Sequence, residues 1–321
     1  MISVGDLRNR LMALADRRLQ GHPNVYRLFA YRFPTDAEQS DLRGRLRDMV
    51  AGDDPLVAAI RSPLRKLIRT HLGFFEARMP HDFDLRGASI GNLVLTGGYL
   101  NNDSNVDAVL FLFSKLVEVR GLVRPVVDAN LHLVAEAEDG GVIVGQHRIT
   151  RRDPETARPI RELRLSATVD EESPARAFID ARTRELVARA ELLCFPIGSF
   201  YTSVLACLLP EGIGAAVSQV GCPKVYVPNL GRDPEMVGLP PAAAVERLLD
   251  VLRADAGPEV PTDRLLHVVL VDAERGRYEG GLDVRRIEDL GVQVLDTRLV
   301  SDESQPLLDP TLVVESLLSL V

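Results

Sequence analysis

Residues 191–229, ELLCFPIGSFYTSVLACLLPEGIGAAVSQVGCPKVYVPN, decide how this chain is read. Leu192–Phe195 is a short apolar run closed by Pro196, the pattern of a buried strand. Gly198 and Ser199 permit a tight reversal, and Tyr201, Thr202 and Ser203 supply hydroxyls where a helix begins. The first turn of a helix leaves backbone N–H groups unpaired and carries partial positive charge, which suits a phosphate. Val225–Val227 reads as a second strand that delivers Asn229 to the carboxyl edge of a sheet, where open α/β sheets bind their ligands. The same letters also fit an ordinary strand, turn and capped helix. Residues 192–210 carry no charge, but Pro196, Gly198 and the hydroxyls break the run, so no membrane span is expected.

Outward from this segment, strands and helices alternate. Ala242–Arg253 reads as a helix, Leu265–Val271 and Val292–Leu295 as strands, and Pro310–Leu320 as a closing helix. Upstream, apolar spacing predicts helices over Asp6–Leu19, Asp36–Val50, Leu56–Arg78 (bent or split at Pro63) and Ser104–Val119. Between the two lies a period-two stretch with strands expected at Val123–Val127, Leu131–Glu136, Val142–Val144 and Leu163–Val169. Glu138-Asp139-Gly140-Gly141 marks its hairpin turn, and a helix over Pro174–Arg189 follows it. The class expected is α/β, a mostly parallel sheet flanked by helices. One domain over 1–321 should hold a helical segment (1–80), a β-rich insert (120–170) and a second half of the core (190–321).

Composition narrows the function. A net charge of −8 and the lack of tryptophan argue against nucleic acid as a partner. Cys194, Cys207 and Cys222 show no metal spacing and suit a reducing compartment, and MISVGDLRNR lacks a signal peptide's apolar core, so the cytoplasm is expected. The six histidines share no HxxxH or HExxH spacing, and Ser199 lacks a GxSxG elbow. No catalytic residue and no metal ligand is assigned. A second helix start carries the remaining chemistry. In GASIGN (87–92), Gly87 and Gly91 allow close backbone approach, while Ser89 and Asn92 can hydrogen-bond an anion. Small residues there also permit close helix packing. Asp6, Arg8 and Asn9 cluster in GDLRN, where Asp6 can equally cap its own helix.

Read in order, these motifs resemble the family of the phospholactate transferase CofD and the YvcK-type gluconeogenesis factors, with the YvcK-type branch nearer. GDLRNRLMALAD is similar to its GDIRNCLVALS-like segment, LFAYRF (28–33) to LFQYRF, GASIGNLVL to GHSIGNLLL, and KVYVPNL to KVYICNL. FPIGSFYTSVLACLLPEGIGAAV resembles its GPGSLYTS loop with PIGS for GPGS, and GRDPEMVG (231–238) stands where the family has an MTQPGET-like segment. The resemblance implies a Rossmann-like core. It places that core's opening strand, Gly-rich loop and aspartate-bearing segment upstream of Gly5, outside this sequence. It implies a nucleotide or nucleotide-sugar ligand of the UDP-sugar type in a regulatory protein. The alternative it implies is a transferase that moves a phospholactate-type group from a guanosine diphosphate donor with Mg2+. The diphosphate is expected between the helix starts at Ser89–Asn92 and Ser199–Ser203, with Asn229 near base or sugar. A bare sheet edge, where neighbouring strands are missing, suggests a homodimer.

Overall fold

In a computed structural model of the 321-residue chain, residues 4–15, 22–103, 105–153, 156–169, 173–231 and 233–321 are described. The chain divides into two compact units, Met1–Asp128 and Ala129–Val321.

The named elements described in the first unit are helices: α1 (Val4–Leu14), α2 (His22–Ala30), α3 (Gln39–Ala51), α4 (Pro55–Ala58), α5 (Leu64–Arg78), α6 (Ile90–Asn101) and α7 (Val106–Leu116). Of the helix expected over Asp6–Leu19, residues 16–19 lie outside the described ones, as does Ser104 ahead of α7. The helix α2 was not anticipated in HPNVYRLFA, where Pro23 and Asn24 break the pattern at its start. The helix expected over Leu56–Arg78 is two helices: Asp54 caps α4 by accepting from Leu56 N, Pro55 takes the first position, and α5 begins just after Pro63.

Glycine sets the contact of α5 with α6. A Cβ on Gly97 would stand 1.7 Å from the His71 carbonyl oxygen, and one on Gly98 2.7 Å from His71 Nδ1. The two helices therefore meet backbone to backbone, and α6 is buried along most of its length. His71 is 1% exposed, lies 5.6 Å from the Phe113 ring, and its Nδ1 is buried without a hydrogen-bond partner. Burial pushes this imidazole down to about 4, against a smaller upward pull from the Val94 backbone.

The second unit holds two sheets. Strands β1 (His132–Ala137), β2 (Val142–Val144) and β3 (Ile160–Ser166) form an antiparallel sheet in the order β2-β1-β3, with α8 (Gln146–Thr150) after β2. Its hairpin turns at Glu138–Gly141, where Gly140 has φ +84°. No strand forms at Val123–Val127. Helix α9 spans Ala181–Ala188 rather than starting at Pro174, because residues 175–179 are engaged in extended pairing: Ala175 N donates to Leu165 O, and Ala177 O and Ile179 N bond Glu211.

Strands β4 (Leu193–Phe195), β5 (Lys224–Tyr226), β6 (Val268–Val271) and β7 (Gln293–Asp296) form a parallel sheet in sequence order. Helices α10 (Ile213–Gln219), α11 (Pro241–Ala256) and α12 (Val284–Asp289) connect them, and α13 (Pro310–Leu318) follows. Val225, Val227, Val268 and Leu270 pack with Leu299 against Val313 and Leu317 of α13. This is the expected α/β class: parallel strands joined by helices, buried as all-parallel sheets require. All four carboxyl ends lie at one edge, so the loops after β4 and β5 emerge side by side.

The neutral form of His71 is the one that the native packing accepts. Its contribution is complete above the unfolded value of about 6.5 and is lost as pH falls from there toward about 4, up to about 3 kcal/mol. Denaturation of the full chain between pH 7 and 4.5, compared with His71→Leu, should show the wild type losing stability more steeply. Parallel curves would refute the assignment.

Candidate functional site

In the helical unit, the starts of α1 and α6 adjoin. A Cβ on Gly5 would lie 4.0 Å from Asn92 Nδ2. Ser89 stands at the N-cap of α6 in extended conformation, and its side chain makes no capping bond. Instead its Oγ accepts a hydrogen bond from Arg8 Nη1, while Arg8 Nη2 donates to Asn9 Oδ1 at 2.6 Å. Arg8 is only 8% exposed. Among the described residues no carboxylate hydrogen-bonds to it, and burial followed by the nearby Arg32 charge pulls its pKa down. Arg32 crosses the same place, bridging Ser89 through the backbone and donating from Nη1 to Gly87 O at 3.1 Å. Gly87 takes φ +68° with its N–H on Phe33 O, which explains the glycine. Gly91 is required by contact: a Cβ would stand 2.7 Å from Arg8 Cδ and 2.8 Å from Phe29 O. Asn92 Oδ1 is buried and has no hydrogen-bond partner. Asp6 lies exposed in the first turn of α1. Thus GDLRN and GASIGN, 81 residues apart between Arg8 and Ser89, are brought together.

In the second unit, Gly198 turns the chain after β4 with φ +148° and open space where a Cβ would stand, so conformation rather than crowding selects it. The expected ordinary helix start is a π-turn over Phe200–Val204, shown by Val204 N donating to Ser199 O, followed by a 3-10 turn over Leu205–Cys207. Ser203 N also donates to Ser199 O, at 2.9 Å. The backbone N–H groups of Tyr201 and Thr202 both donate to Glu235 Oε2, each at 2.9 Å. Thr202 Oγ1 and Thr150 Oγ1 donate to Glu235 Oε1, at 2.5 and 3.0 Å. The first-turn amides that a phosphate was expected to meet are therefore held by the chain's own carboxylate.

Asn229 is engaged in the same way. Its Oδ1 accepts from Gly198 N at 2.9 Å, and its Nδ2 donates to Gly198 O at 2.7 Å and to Asp233 Oδ2 at 2.8 Å. Asp233 Oδ1 accepts from Glu235 N at 2.9 Å. Arg152 donates to Arg158 O, Pro234 O and Glu235 O, fastening the same loop to the end of α8. Burial, the largest influence, lowers the Arg152 pKa, while Tyr201, Glu235 and Asp233 oppose the change. The Tyr201 hydroxyl donates to Ile160 O at 3.0 Å, and burial raises its pKa. Sequence reasoning missed Glu235, Asp233, Thr150 and Arg152. The carboxylates sit in the GRDPEMVG loop after Asn229, which is the one local signal for them; the threonine lies 85 residues from its partner.

A parallel sheet with helix connections in one unit, with helices in the other, defines a mixed α/β protein. The chain matches the family of the 2-phospho-L-lactate transferase CofD over residues 1–300 and belongs to that family. Relatives carry the name gluconeogenesis factor. The Listeria monocytogenes protein is 34% identical over 156 residues, 49% of this chain and 45% of its own length. The Bacillus subtilis protein is 32% identical over 204 residues, 62% of this chain and 60% of its own. The Halalkalibacterium halodurans protein is 26% identical over 285 residues, 85% of this chain and 83% of its own. The match thus spans about half the length of the Listeria relative. A crystal structure of a UPF0052-family protein from Bacillus halodurans shares the fold, with a TM-score of 0.59, 22% identity, and coverage of 89% of this chain and 88% of that one. No helix among the described residues is long and apolar enough to cross a membrane.

Replacing Gly91 tests the helix-start packing. Gly91→Ala sets a methyl group against Arg8 and the rigid Phe29 carbonyl, and is expected to cost about 1–3 kcal/mol. Chemical denaturation reads it; a neutral result would mean that Arg8 moves aside freely.

Proposed function

We infer that this CofD-family chain binds a nucleotide or nucleotide sugar, of the UDP-sugar type, and acts as a regulatory protein in the cytoplasm. The observation that carries the reading is Arg8. A buried guanidinium that, among the described residues, hydrogen-bonds only neutral oxygens, beside the first turn of a 12-residue helix and with a second arginine near it, is a positive site fit for an anion. Burying a charge without its opposite is costly, and a ligand phosphate supplies the missing anion. Ser89 at the N-cap, with no bond to its own helix, can share that anion with Arg8. The name gluconeogenesis factor, borne by the relatives, supports a regulatory role, and the present proposal takes it over for this chain.

The second reading is supported by the family's own description, 2-phospho-L-lactate transferase: transfer of a phospholactate-type group, for which the motif resemblance implies a guanosine diphosphate donor and Mg2+. Among the described residues no three His, Cys, Asp or Glu side chains stand together as a protein metal site would need, and no step is assigned to the metal. Self-association belongs to the same proposal. Strands β4 and β7 are the edges of the parallel sheet, and an unpaired edge favours a second copy.

Calorimetric titration with UDP-N-acetylglucosamine and with GDP tests the binding. Arg8→Met, which keeps the aliphatic stem, should weaken binding by about 2 kcal/mol, roughly thirty-fold. Equal affinity in wild type and variant would sink the assignment of the anion to Arg8. Product formed from a guanosine diphosphate donor, dependent on added Mg2+, would promote the transferase reading, and sedimentation velocity measures the dimer.

A further inference from the structure

We propose that Glu235 is the positioning residue of the Gly198–Ser199 turn, its carboxylate filling the amide cradle at Tyr201 and Thr202 that would otherwise take a free oxyanion. The inference rests on the reading of the carboxyl edge as a ligand edge.

Glu235 is 1% exposed, and neutral donors meet both its oxygens: two backbone N–H groups on Oε2, and on Oε1 the Thr202 hydroxyl and that of Thr150, whose single proton Gln146 O also competes for at 3.1 Å. Arg152 bonds its backbone carbonyl. Such a set is the chemistry of an oxyanion site, and here the anion is built in. The contacts close into a ring. From the cradle the path runs through Glu235 to Asp233 by Glu235 N, from Asp233 to Asn229, and from Asn229 by two bonds to the Gly198 peptide. Three covalent steps along the chain return to Tyr201. Gly198 stands at φ +148°, a backbone that side chains rarely adopt, and the ring holds it there. A turn fixed from both ends holds a constant shape, and half-buried Ser199, whose side chain makes no capping bond, is the hydroxyl within it. A ligand phosphate at this turn therefore meets Ser199 and not the Tyr201 and Thr202 amides. Glu235 acts on the ligand through the turn without touching it.

The test is chemical rescue in the full chain. Glu235→Ala empties the cradle while leaving its four donors, and formate is the probe. Amide exchange at Tyr201 and Thr202, resolved by mass spectrometry on fragments across 196–204, should become about tenfold faster in the variant. Formate should restore slow exchange, and chloride at equal ionic strength should not. GDP affinity should fall in the variant and recover with formate, which a merely structural loss would not show. Glu235→Gln keeps the shape and one acceptor oxygen, and its exchange should lie between the two; it decides the matter alone if the alanine variant does not fold. Exchange at wild-type rates in the variants, or rescue by chloride as good as by formate, overturns the proposal. So does tighter GDP binding by Glu235→Ala, since the cradle would then be a phosphate site that Glu235 blocks. Wild type that binds neither GDP nor UDP-N-acetylglucosamine would sink the ligand reading while the exchange measurement still judges Glu235.

Discussion

A buried carboxylate depends on hydrogen bonds as well as on any charge near it, here that of Arg152, and in the second unit this requirement organises the loops at the carboxyl edge of the sheet. Glu235 needs donors on both oxygens, and they come from two stretches of chain far apart in sequence: Thr150 at the end of α8, and the backbone of the π-turn after β4. Satisfying one charge fastens the antiparallel sheet's helix to the parallel sheet's first loop. The N–H groups of Tyr201 and Thr202 stand in the first turn after Ser199, where a helix start leaves them without intrahelical partners, and Glu235 takes both on one oxygen.

Charge in the helical unit is treated in the opposite way. Arg8 is as buried as a core residue, yet among the described residues its fork meets a serine and an asparagine, and after burial the Arg32 charge pulls its pKa down further. Gly91 holds the guanidinium stem against α6, so the cation cannot retreat from the helix start. Buried charges are ordinarily paired or hydrogen-bonded to their full capacity. An internal anion balanced by built-in donors is a closed account of polar groups. A cation without its anion is an open one, which is why the binding proposal rests on Arg8 rather than on the turn after β4.

The large elements were legible because periodicity and turn chemistry are local. Strands β4 to β7 and helices α3, α5, α10 and α11 follow apolar spacing, and Pro63 separates α4 from α5 through the lost N–H and the clash that proline imposes. The strand expected at Val123–Val127 does not form, because β propensity reflects packing on a sheet face rather than an intrinsic preference of the backbone. The late start of α9 has the converse cause: residues 175–179 find extended partners at Leu165 and Glu211, which no local pattern announces.

Candidate site residues were legible as types and spacings, but not by partner. Ser89, Gly91 and Arg8 converge, although nothing in the sequence paired GDLRN with GASIGN: helix starts and small residues leave marks in sequence, but their long-range partners do not. Asn229 was expected to face a ligand, and it instead holds Gly198 with both ends of its amide. An asparagine beside a ligand and an asparagine bracing a turn have the same letter and the same position after a strand; what separates them is whether a peptide group lies within reach of each amide atom. That depends on the return of the chain through Asp233 and Glu235, two residues whose significance comes wholly from where the loop folds back. Asn229 gives both amide hydrogens to Gly198 O and Asp233 and accepts from Gly198 N, so a ligand could reach only the second lone pair of its oxygen, and its main structural work is to position the turn.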